Sequence, residues 1–449
     1  MTPATPGTRL PSVRELMREH GASPLTVQRA IGRLAAEGLV TARPGRGTFV
    51  VGEDASPEVP DLSWQAIALG AAPAGGDDLQ ALLELPAAGA VGLSGGYLDA
   101  ALQPHGLLSA ALGRAARRPG SWERGPLAGR QELRAWFARQ AAAHLTAEDI
   151  IVCPGGQAAL STAFRALAAA GDPVLVESPT YLGAVAAARA AGLSVVPVPS
   201  DAEGVRPDYL ADAFARTGAR LVYLQPLNAN PHGATLASER REPVLEAARA
   251  AGAFVLEDDW ARDLLAEPDP PAPLIASDRH GHVVHVRSLT KVAAPGLRVA
   301  AIAALGPAAQ RLRVARAIDD FYVAGPLQEA AVEVLTSPAW QRHLRGLRRA
   351  LRERRDTLLA ALRQQLPDLQ PPAVPRGGLH LWQPLSSELD DEAVAATALA
   401  HGVLVMPGRP FFPAEPDGSF LRLTFAAAPP EALQDGAVRL ARAIAAHDL

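Results

Sequence analysis

Apolar residues recur at helical spacing in two short runs near the amino terminus. They fall three and four positions apart over 13–17 and again over 27–34, which predicts two amphipathic helices. The first helix is expected to end at Gly21, because glycine takes the left-handed conformation that closes a helix. Ser23 and the proline after it provide an N-cap and a first-turn residue for the second helix, which is expected to close at Gly38.

The residues after the second helix predict a two-stranded wing. Residues 39–51 have the pattern of two short strands that turn at the Pro-Gly-Arg-Gly sequence of 44–47. Two helices joined by a tight turn and followed by a wing place the second helix in the major groove of DNA. The exposed face of that helix carries residue types that contact bases and phosphates, namely Thr26, Gln28, Arg29 and Arg33.

The rest of the chain alternates alanine-rich helical segments with apolar runs that become polar at their carboxyl ends. The runs span 174–178, 221–226, 254–260 and 283–290. This alternation is typical of the α/β class, with a mostly parallel central sheet and helices on both faces. Because ligands bind outside the carboxyl ends of such strands, the polar ends predict a binding site.

Composition and charge narrow the class of protein. A chain of 449 residues with 48% hydrophobic and 20% charged residues predicts a globular protein of two or three domains. One cysteine, no secretory signal and no long apolar run predict a cytoplasmic protein without disulfides or membrane contact. No metal site is predicted. Arginines dominate 1–51 and acidic residues dominate 52–80, which predicts a basic head followed by an acidic linker.

Lysine is almost absent from the chain. Of 43 basic residues only Lys291 is a lysine, and arginine cannot replace it as a nucleophile because the guanidinium stays protonated. Chance survival of one lysine is the alternative interpretation. The surrounding sequence, SLTKVAAPGLR, argues against chance because it also contains Ser288, Thr290 and Arg298. Lys291 is therefore the first candidate for covalent chemistry.

Other polar residues follow the predicted strands in the same way. Gly155 and Gly156 precede a helix, whose start can hold an anion, although an ordinary turn explains them equally well. Tyr181, Asn230 and Asp258 each lie at or beyond a strand end; core packing and turn chemistry are the alternatives for the first two. Pyridoxal phosphate needs a lysine, a carboxylate for its ring nitrogen, donors for its phosphate and a ring to stack on. Taken together, these residues fit that cofactor.

Two longer motifs resemble known families. The series GGQ, Y, NP, ED, S-x-x-K and R resembles the fold-type I, class I/II aminotransferases, and the similarity continues to residue 449. The segment LPSVRELMREHGASPLTVQRAIGRLAAEGLV, followed by RPGRGTFV, resembles the GntR-type winged helix-turn-helix. Together the two motifs resemble the MocR-type subfamily of GntR transcriptional regulators. The GntR family has a further helix before this point and only nine residues precede Leu10, so either the true start lies upstream or the module lacks its first helix.

The resemblance implies a domain plan. A GntR-like winged helix would span 1–52, a linker 53–85, the large domain that binds pyridoxal 5'-phosphate 86–325, and a smaller α+β domain 326–449. It also implies a homodimer, because such sites borrow residues across the subunit interface.

The resemblance further implies a role for each candidate residue. Lys291 would carry the cofactor as an internal aldimine, Asp258 would pair with the pyridinium nitrogen, and Asn230 would hydrogen-bond the 3-oxygen. Tyr181 would cover the ring, and Arg422 in FLRLTFA would clamp an α-carboxylate. The phosphate would be held by Gly155, Gly156, Gln157, Ser288, Thr290 and Arg298. The DNA contacts would be Arg14, Thr26, Gln28, Arg29 and Arg46.

Three places depart from the family pattern. Trp260 stands where the subfamily usually has a tyrosine at the 3-oxygen, and an indole N–H donates but does not titrate. Cys153 and Pro154 replace a hydroxyl-bearing pair before the phosphate turn. Arg124 stands where a tyrosine of the partner subunit reaches the phosphate, and its charge can substitute as a donor. We expect cofactor binding with altered ring electronics.

A run of arginines near the carboxyl terminus has two interpretations. Residues 340–366 carry seven arginines between 342 and 355, with leucines at helical spacing. We expect a long helix with these arginines on its solvated face; a second DNA-binding surface is the alternative.

Three functions remain open from the sequence. The first is a regulator that binds double-stranded DNA and senses an amino acid or amine through aldimine exchange at Lys291. The second is a working aminotransferase for an α-amino acid, in which the lysine moves a proton. The third is another reaction of the same cofactor, such as decarboxylation or β-elimination. The basic head favours the regulator, unless it is only a structural cap.

Overall fold

The structure, a computed structural model, describes most of the chain. The described residues are 5, 7–51, 60–69, 80, 82–267 and 269–447. They divide into two compact units, one up to Ala72 and one from Pro73. Much of the predicted linker, 53–85, lies outside the described residues, and the four predicted domain boundaries stay predictions.

The amino-terminal unit is a winged helix-turn-helix, as predicted. Ser12 caps its first helix through reciprocal hydrogen bonds with Glu15, and Gly21 ends that helix with φ of 60°. Ser23 Oγ accepts the N–H of Thr26 at the start of the second helix. The two wing strands pair antiparallel. The elements are α1 (Val13–His20), α2 (Pro24–Ala36), β1 (Val40–Arg43), β2 (Gly47–Val50) and α3 (Ser63–Leu69).

The larger unit alternates strands and helices over its first two thirds. Its strands are β3 (Val91–Gly92), β4 (Ile150–Cys153), β5 (Pro173–Ser178), β6 (Ser194–Asp201), β7 (Gly204–Val205), β8 (Leu221–Leu224), β9 (Phe254–Asp258), β10 (Val283–Ser288), β11 (Ala300–Ala303), β12 (His380–Pro384), β13 (Val403–Leu404), β14 (Met406–Pro407) and β15 (Phe420–Thr424). Its helices are α4 (His105–Ala115), α5 (Gln131–Ala141), α6 (Gly156–Leu167), α7 (Leu182–Ala190), α8 (Pro207–Thr217), α9 (Ser238–Ala251), α10 (Leu274–Ser277), α11 (Gly306–Asp320), α12 (Gly325–Thr336), α13 (Pro338–Gln365), α14 (Asp391–Ala400) and α15 (Pro430–Ala445).

The central sheet has eight strands in the order β4-β11-β10-β9-β8-β5-β6-β7. Strands β10, β9, β8, β5 and β6 run parallel. Strand β11 lies antiparallel between β10 and β4, and β7 forms an antiparallel hairpin with β6. The predicted mostly parallel sheet is confirmed, and β11 is its internal exception.

Helices cover both faces of this sheet because side chains alternate along each strand. On β5, Leu175 packs into one core while Val174 and Val176 pack into the other. Helices α5, α8 and α9 contribute to the first core, and α6, α7 and α11 contribute to the second. With both faces filled, the carboxyl edge of the sheet is the place where polar side chains meet.

The last third of the chain forms a smaller sheet. Strands β12, β15 and β14 pair antiparallel in that order, and β13 pairs with β3 from the beginning of the unit. This pairing brings the residues just after β3 next to the small sheet. Within the described ranges, no helix is both long enough and apolar enough to cross a bilayer.

Helix α13 corrects one expectation. Arg342 and Arg349 are exposed as predicted, but Arg354 and Arg355 are buried. Arg354 donates to Asp99 Oδ2 at 2.8 Å, and both buried guanidinium groups also donate to backbone carbonyl oxygens. The expectation that all these arginines form a solvated face is therefore wrong. Two of them attach the helix to the rest of the unit.

Candidate active site

The carboxyl edge of the central sheet opens into a cavity. Eleven residues predicted from the sequence line it: Gly156, Gln157, Tyr181, Asn230, Asp258, Trp260, Ser288, Thr290, Lys291, Arg298 and Arg422. Residues that the sequence analysis missed complete the lining: Leu82, Leu83, Gly96, Tyr97, Leu160, Gln225 and His380.

Lys291 follows β10 and borders the cavity with its amine. Its Nζ donates to the carbonyl oxygen of Gly96 at 2.7 Å and lies 3.7 Å from the centroid of the Tyr97 ring. Desolvation, helped by the positive charge of Arg422, lowers the pKa of the lysine to about 7. A substantial fraction of the amine is therefore neutral at physiological pH, which is the nucleophilic form.

Asp258 is the last residue of β9, is buried, and lines the cavity. Its Oδ2 accepts hydrogen bonds from Tyr223 Oη at 2.8 Å and from Gln225 Nε2 at 2.9 Å. Burial raises the pKa of this carboxyl to about 6, although both hydrogen bonds act in the opposite direction. The group is therefore mostly ionised near neutral pH and able to pair with a cation.

Gln225 positions two of the predicted residues at once. While its Nε2 binds Asp258, its Oε1 accepts the backbone N–H of Asn230 at 2.8 Å. Its own N–H donates to Glu177 Oε2 at 2.7 Å. Gln225 follows β8 as a polar residue at a strand end, so the signal that identified Asp258 was present there too.

Arg422 lies on β15 and is 1% exposed. It donates to Asn230 Oδ1 at 3.2 Å and to the Ser94 carbonyl, and its Nε has no partner among the described residues. Burial lowers the pKa of the guanidinium to about 9, which leaves it charged at neutral pH. A buried cation with a free donor facing a cavity is suited to bind a carboxylate.

The turn before α6 favours glycine because of its backbone conformation. Gly155 has φ of 98°, and a Cβ there would overlap the guanidinium of Arg298. A Cβ at Gly156 would lie 3.3 Å from Ser288 Cβ. The turn therefore brings the amino-terminal end of α6, Ser288 and Arg298 close together, an arrangement that binds an anion. Arg298 also donates to the Pro154 carbonyl at 2.9 Å.

Tyr181 and Trp260 provide aromatic rings at the cavity. Tyr181 Oη donates to Gln157 Oε1 at 3.1 Å, and Gln157 Nε2 donates to the Gly183 carbonyl. Trp260 is 9% exposed, and its Nε1 finds no acceptor in the described part of the chain. A buried indole N–H that faces a cavity fits an acceptor supplied by a ligand.

Arg124 lies outside this cavity. Its side chain is exposed and does not line the site of its own chain. Because it was predicted to serve the partner's site, that role stays a prediction. The predicted DNA contacts also remain predictions, and all five side chains are exposed on the amino-terminal unit: Arg14, Thr26, Gln28, Arg29 and Arg46.

The site fits pyridoxal 5'-phosphate. Trp260 Nε1 and Thr290 Oγ1 are buried polar atoms without partners in the described residues, next to a glycine turn and a desolvated lysine. An oxygen on the ring and a phosphate would satisfy these two atoms, and Asp258 would stabilise a protonated ring nitrogen. Fold and site together define a fold-type I, aminotransferase-like domain that follows a winged helix-turn-helix.

Comparison with known proteins agrees with this class. Residues 120–440 match the family "Aminotransferase class I and II", and residues 2–50 match "Bacterial regulatory proteins, gntR family". The chain therefore belongs to the class I and II aminotransferase family, as a MocR-type GntR regulator, and its cofactor is pyridoxal 5'-phosphate.

Three relatives illustrate this membership. The uncharacterized HTH-type transcriptional regulator YdfD of Bacillus subtilis is 26% identical, over 97% of this chain and 91% of its own length. The vitamin B6 salvage pathway transcriptional repressor PtsJ of Salmonella typhimurium is 32% identical, over 92% and 88%. The crystal structure of LysN, an alpha-aminoadipate aminotransferase of Thermus thermophilus complexed with N-(5'-phosphopyridoxyl)-L-leucine, superposes with a TM-score of 0.79 at 30% identity, covering 86% of this chain and 99% of LysN.

Proposed function

We propose that this protein is a transcriptional regulator that binds double-stranded DNA and senses an amino acid or amine at Lys291. One observation carries the proposal. Leu82 and Leu83, near the carboxyl-terminal end of the predicted linker, line the same cavity as Lys291. A ligand in the cavity thus contacts the stretch of chain that leads to the winged helix, so binding can alter the linker directly. A regulator of this kind would act in the cytoplasm.

Different side chains of the cavity have different roles in ligand binding. Bound pyridoxal phosphate supplies an electrophilic carbon and an electron-withdrawing ring. Asp258 would place its negative charge at the ring nitrogen, and Arg422 would bind the carboxylate of an amino acid. The amine of Lys291, with its lowered pKa, accepts or releases a proton near neutral pH.

An exposed apolar patch supports the homodimer. Trp122 and Phe321 are 76% and 70% exposed, although both are large hydrophobic residues. They lie on neighbouring segments, since a Cβ at Gly325 would overlap the Ser121 carbonyl. Arg124 is exposed and lies two residues after Trp122 in the sequence. A second copy covering the patch would bury the apolar side chains, bring Arg124 toward the partner's cavity, and present two winged helices to a two-fold symmetric DNA site.

The regulator proposal is tested by measuring ligand binding and DNA binding together. The holoprotein is titrated with amino acids and amines while cofactor absorbance and affinity for the DNA upstream of its own gene are followed. We expect at least one compound to change both, with the same concentration dependence. Arg29→Ala is the control that should lose DNA affinity without changing the absorbance. A ligand that shifts the spectrum at every salt concentration but never the DNA affinity contradicts regulation by this route.

A working aminotransferase is the second candidate. It is favoured by the presence of Lys291, Asp258 and Arg422 around one cavity. Steady-state transamination with panels of amino and keto acids distinguishes the two functions. Turnover of about one per second or faster would support the enzyme.

A further inference from the structure

One polar group of the cavity is not used by the cofactor or by a carboxylate. His380, the first residue of β12, is 5% exposed, lines the cavity, and has no partner for Nε2 among the described residues. Three other buried polar atoms of the cavity lack a hydrogen-bond partner among the described residues: Trp260 Nε1, Thr290 Oγ1 and Arg422 Nε. The ring oxygen, the phosphate and an α-carboxylate would satisfy those three. None of them accounts for His380.

Nε2 of His380 is a buried nitrogen without a hydrogen-bond partner among the described residues. A neutral imidazole nitrogen either donates or accepts a hydrogen bond, and a hydroxyl or a carboxamide can pair with either form. Burial lowers the pKa of His380 well below its ordinary value, and the charges of Arg422 and Lys291 add to this effect. The ring therefore stays neutral, and it packs beside Trp260 at 6.0 Å between centroids.

Nε2 borders the space next to the reacting amine. A Cβ at Gly96 would lie 3.4 Å from Lys291 Nζ and 3.9 Å from His380 Nε2, so both nitrogens face one small volume. An amino acid whose amine reaches Lys291 therefore brings its first side-chain atoms close to Nε2.

We propose that His380 is a specificity-determining residue whose Nε2 forms a hydrogen bond with a hydroxyl or carboxamide at the start of the ligand's side chain. This inference rests on the proposed binding of an amino acid at Lys291. An apolar side chain would leave the buried nitrogen unsatisfied. Threonine and asparagine are therefore favoured over valine and leucine, which match them in shape.

The test compares matched ligands on matched variants. The holoprotein is titrated with threonine and valine, and with asparagine and leucine, while cofactor absorbance is followed. We expect the wild type to bind threonine about fivefold more tightly than valine. His380→Phe keeps a ring beside Trp260 but has no hydrogen-bonding group, so the two affinities should become equal. His380→Gln retains a side chain that donates and accepts hydrogen bonds and should retain part of the preference.

The outcomes separate this inference from the proposed function. Equal binding of threonine and valine to the wild type, or an unchanged preference in His380→Phe, overturns the role of His380 and leaves sensing at Lys291 standing. Failure of every amino acid to change the absorbance overturns the proposed function and this inference with it. The ligand-free spectrum of each variant reports cofactor binding. If His380→Phe does not bind the cofactor, His380→Gln is compared with His380→Leu instead.

Discussion

Lys291 and Asp258 have pKa values that desolvation shifts toward each other. The lysine falls to about 7 and the aspartate rises to about 6. Near neutral pH the amine is therefore partly neutral while most of the carboxyl is ionised. A nucleophilic amine and a charged partner for a ring nitrogen are the two protonation states that the cofactor requires.

The pH dependence of cofactor uptake follows from the lysine. The rate at which the cofactor-free chain takes up pyridoxal phosphate should be half-maximal near the lysine pKa of about 7 and level off about one pH unit above it. Only the neutral amine is nucleophilic. Because the pKa is lowered, the amine becomes neutral at a pH well below the ordinary lysine pKa of 10.5. Stopped-flow absorbance measures the rate, with Lys291→Arg as the control that lacks a nucleophile. A rate that still climbs steeply above about pH 9 would contradict the lowered pKa.

The sequence predicted the cavity residues that follow strands, because the carboxyl ends of parallel strands lie at the same edge of a sheet. It missed Gln225, which has the same position but no family motif around it. It also missed Leu82, Gly96 and His380. These residues reach the site only because β3 pairs with β13 and the small sheet folds back, and such long-range packing leaves no local pattern in the sequence.

At the scale of elements, helix ends were predictable wherever a cap was visible. Gly21 ends the first helix and Ser23 caps the second, as expected. The antiparallel direction of β11 was not predictable, because strand direction depends on the path of the connection and not on the apolar run itself. The leucine spacing of α13 correctly predicted the helix. It did not predict which of the arginines are buried, because the spacing does not show which arginines find hydrogen-bond acceptors elsewhere in the fold.

Two arginines of α13 provide a matched stability test. Arg354→Ala should lower the free energy of unfolding by about 3 kcal/mol, because it leaves Asp99 without its buried partner. Arg342→Ala, on the exposed side of the same helix, should change it by less than about 0.5 kcal/mol. Urea denaturation of both variants measures the difference. Equal effects would mean that the buried ion pair does not stabilise the unit.

At the scale of the whole molecule, the linker and the ligand cavity share a stretch of chain. Leu82 packs with Leu182, Met406 and Phe411, whereas Leu83 lines the cavity yet is 58% exposed. The first leucine anchors the segment and the second is free to respond to a ligand. A ligand in the cavity is thus connected to the linker directly through the chain.

Leu83→Ala should weaken the effect of a ligand on DNA affinity more than it weakens ligand binding. We expect the coupling free energy to fall by about 1 kcal/mol, because a truncated side chain contacts the ligand less. Leu85→Ala is the control, since Leu85 is 84% exposed and does not line the cavity. DNA affinity with and without saturating ligand gives the coupling for each variant. Equal coupling in the two variants would rule out this segment as the route.

The near-complete replacement of lysine by arginine has a practical consequence. Acylating reagents that modify amines find no side-chain target on the surface, where arginine supplies the other basic groups. Apart from the terminal α-amine, one peptide, the one that contains residue 291, can carry the label. The labelled fraction of this peptide in a mass spectrum would measure the fraction of molecules whose Lys291 amine is free. The measurement could be made on purified protein or on a cell extract.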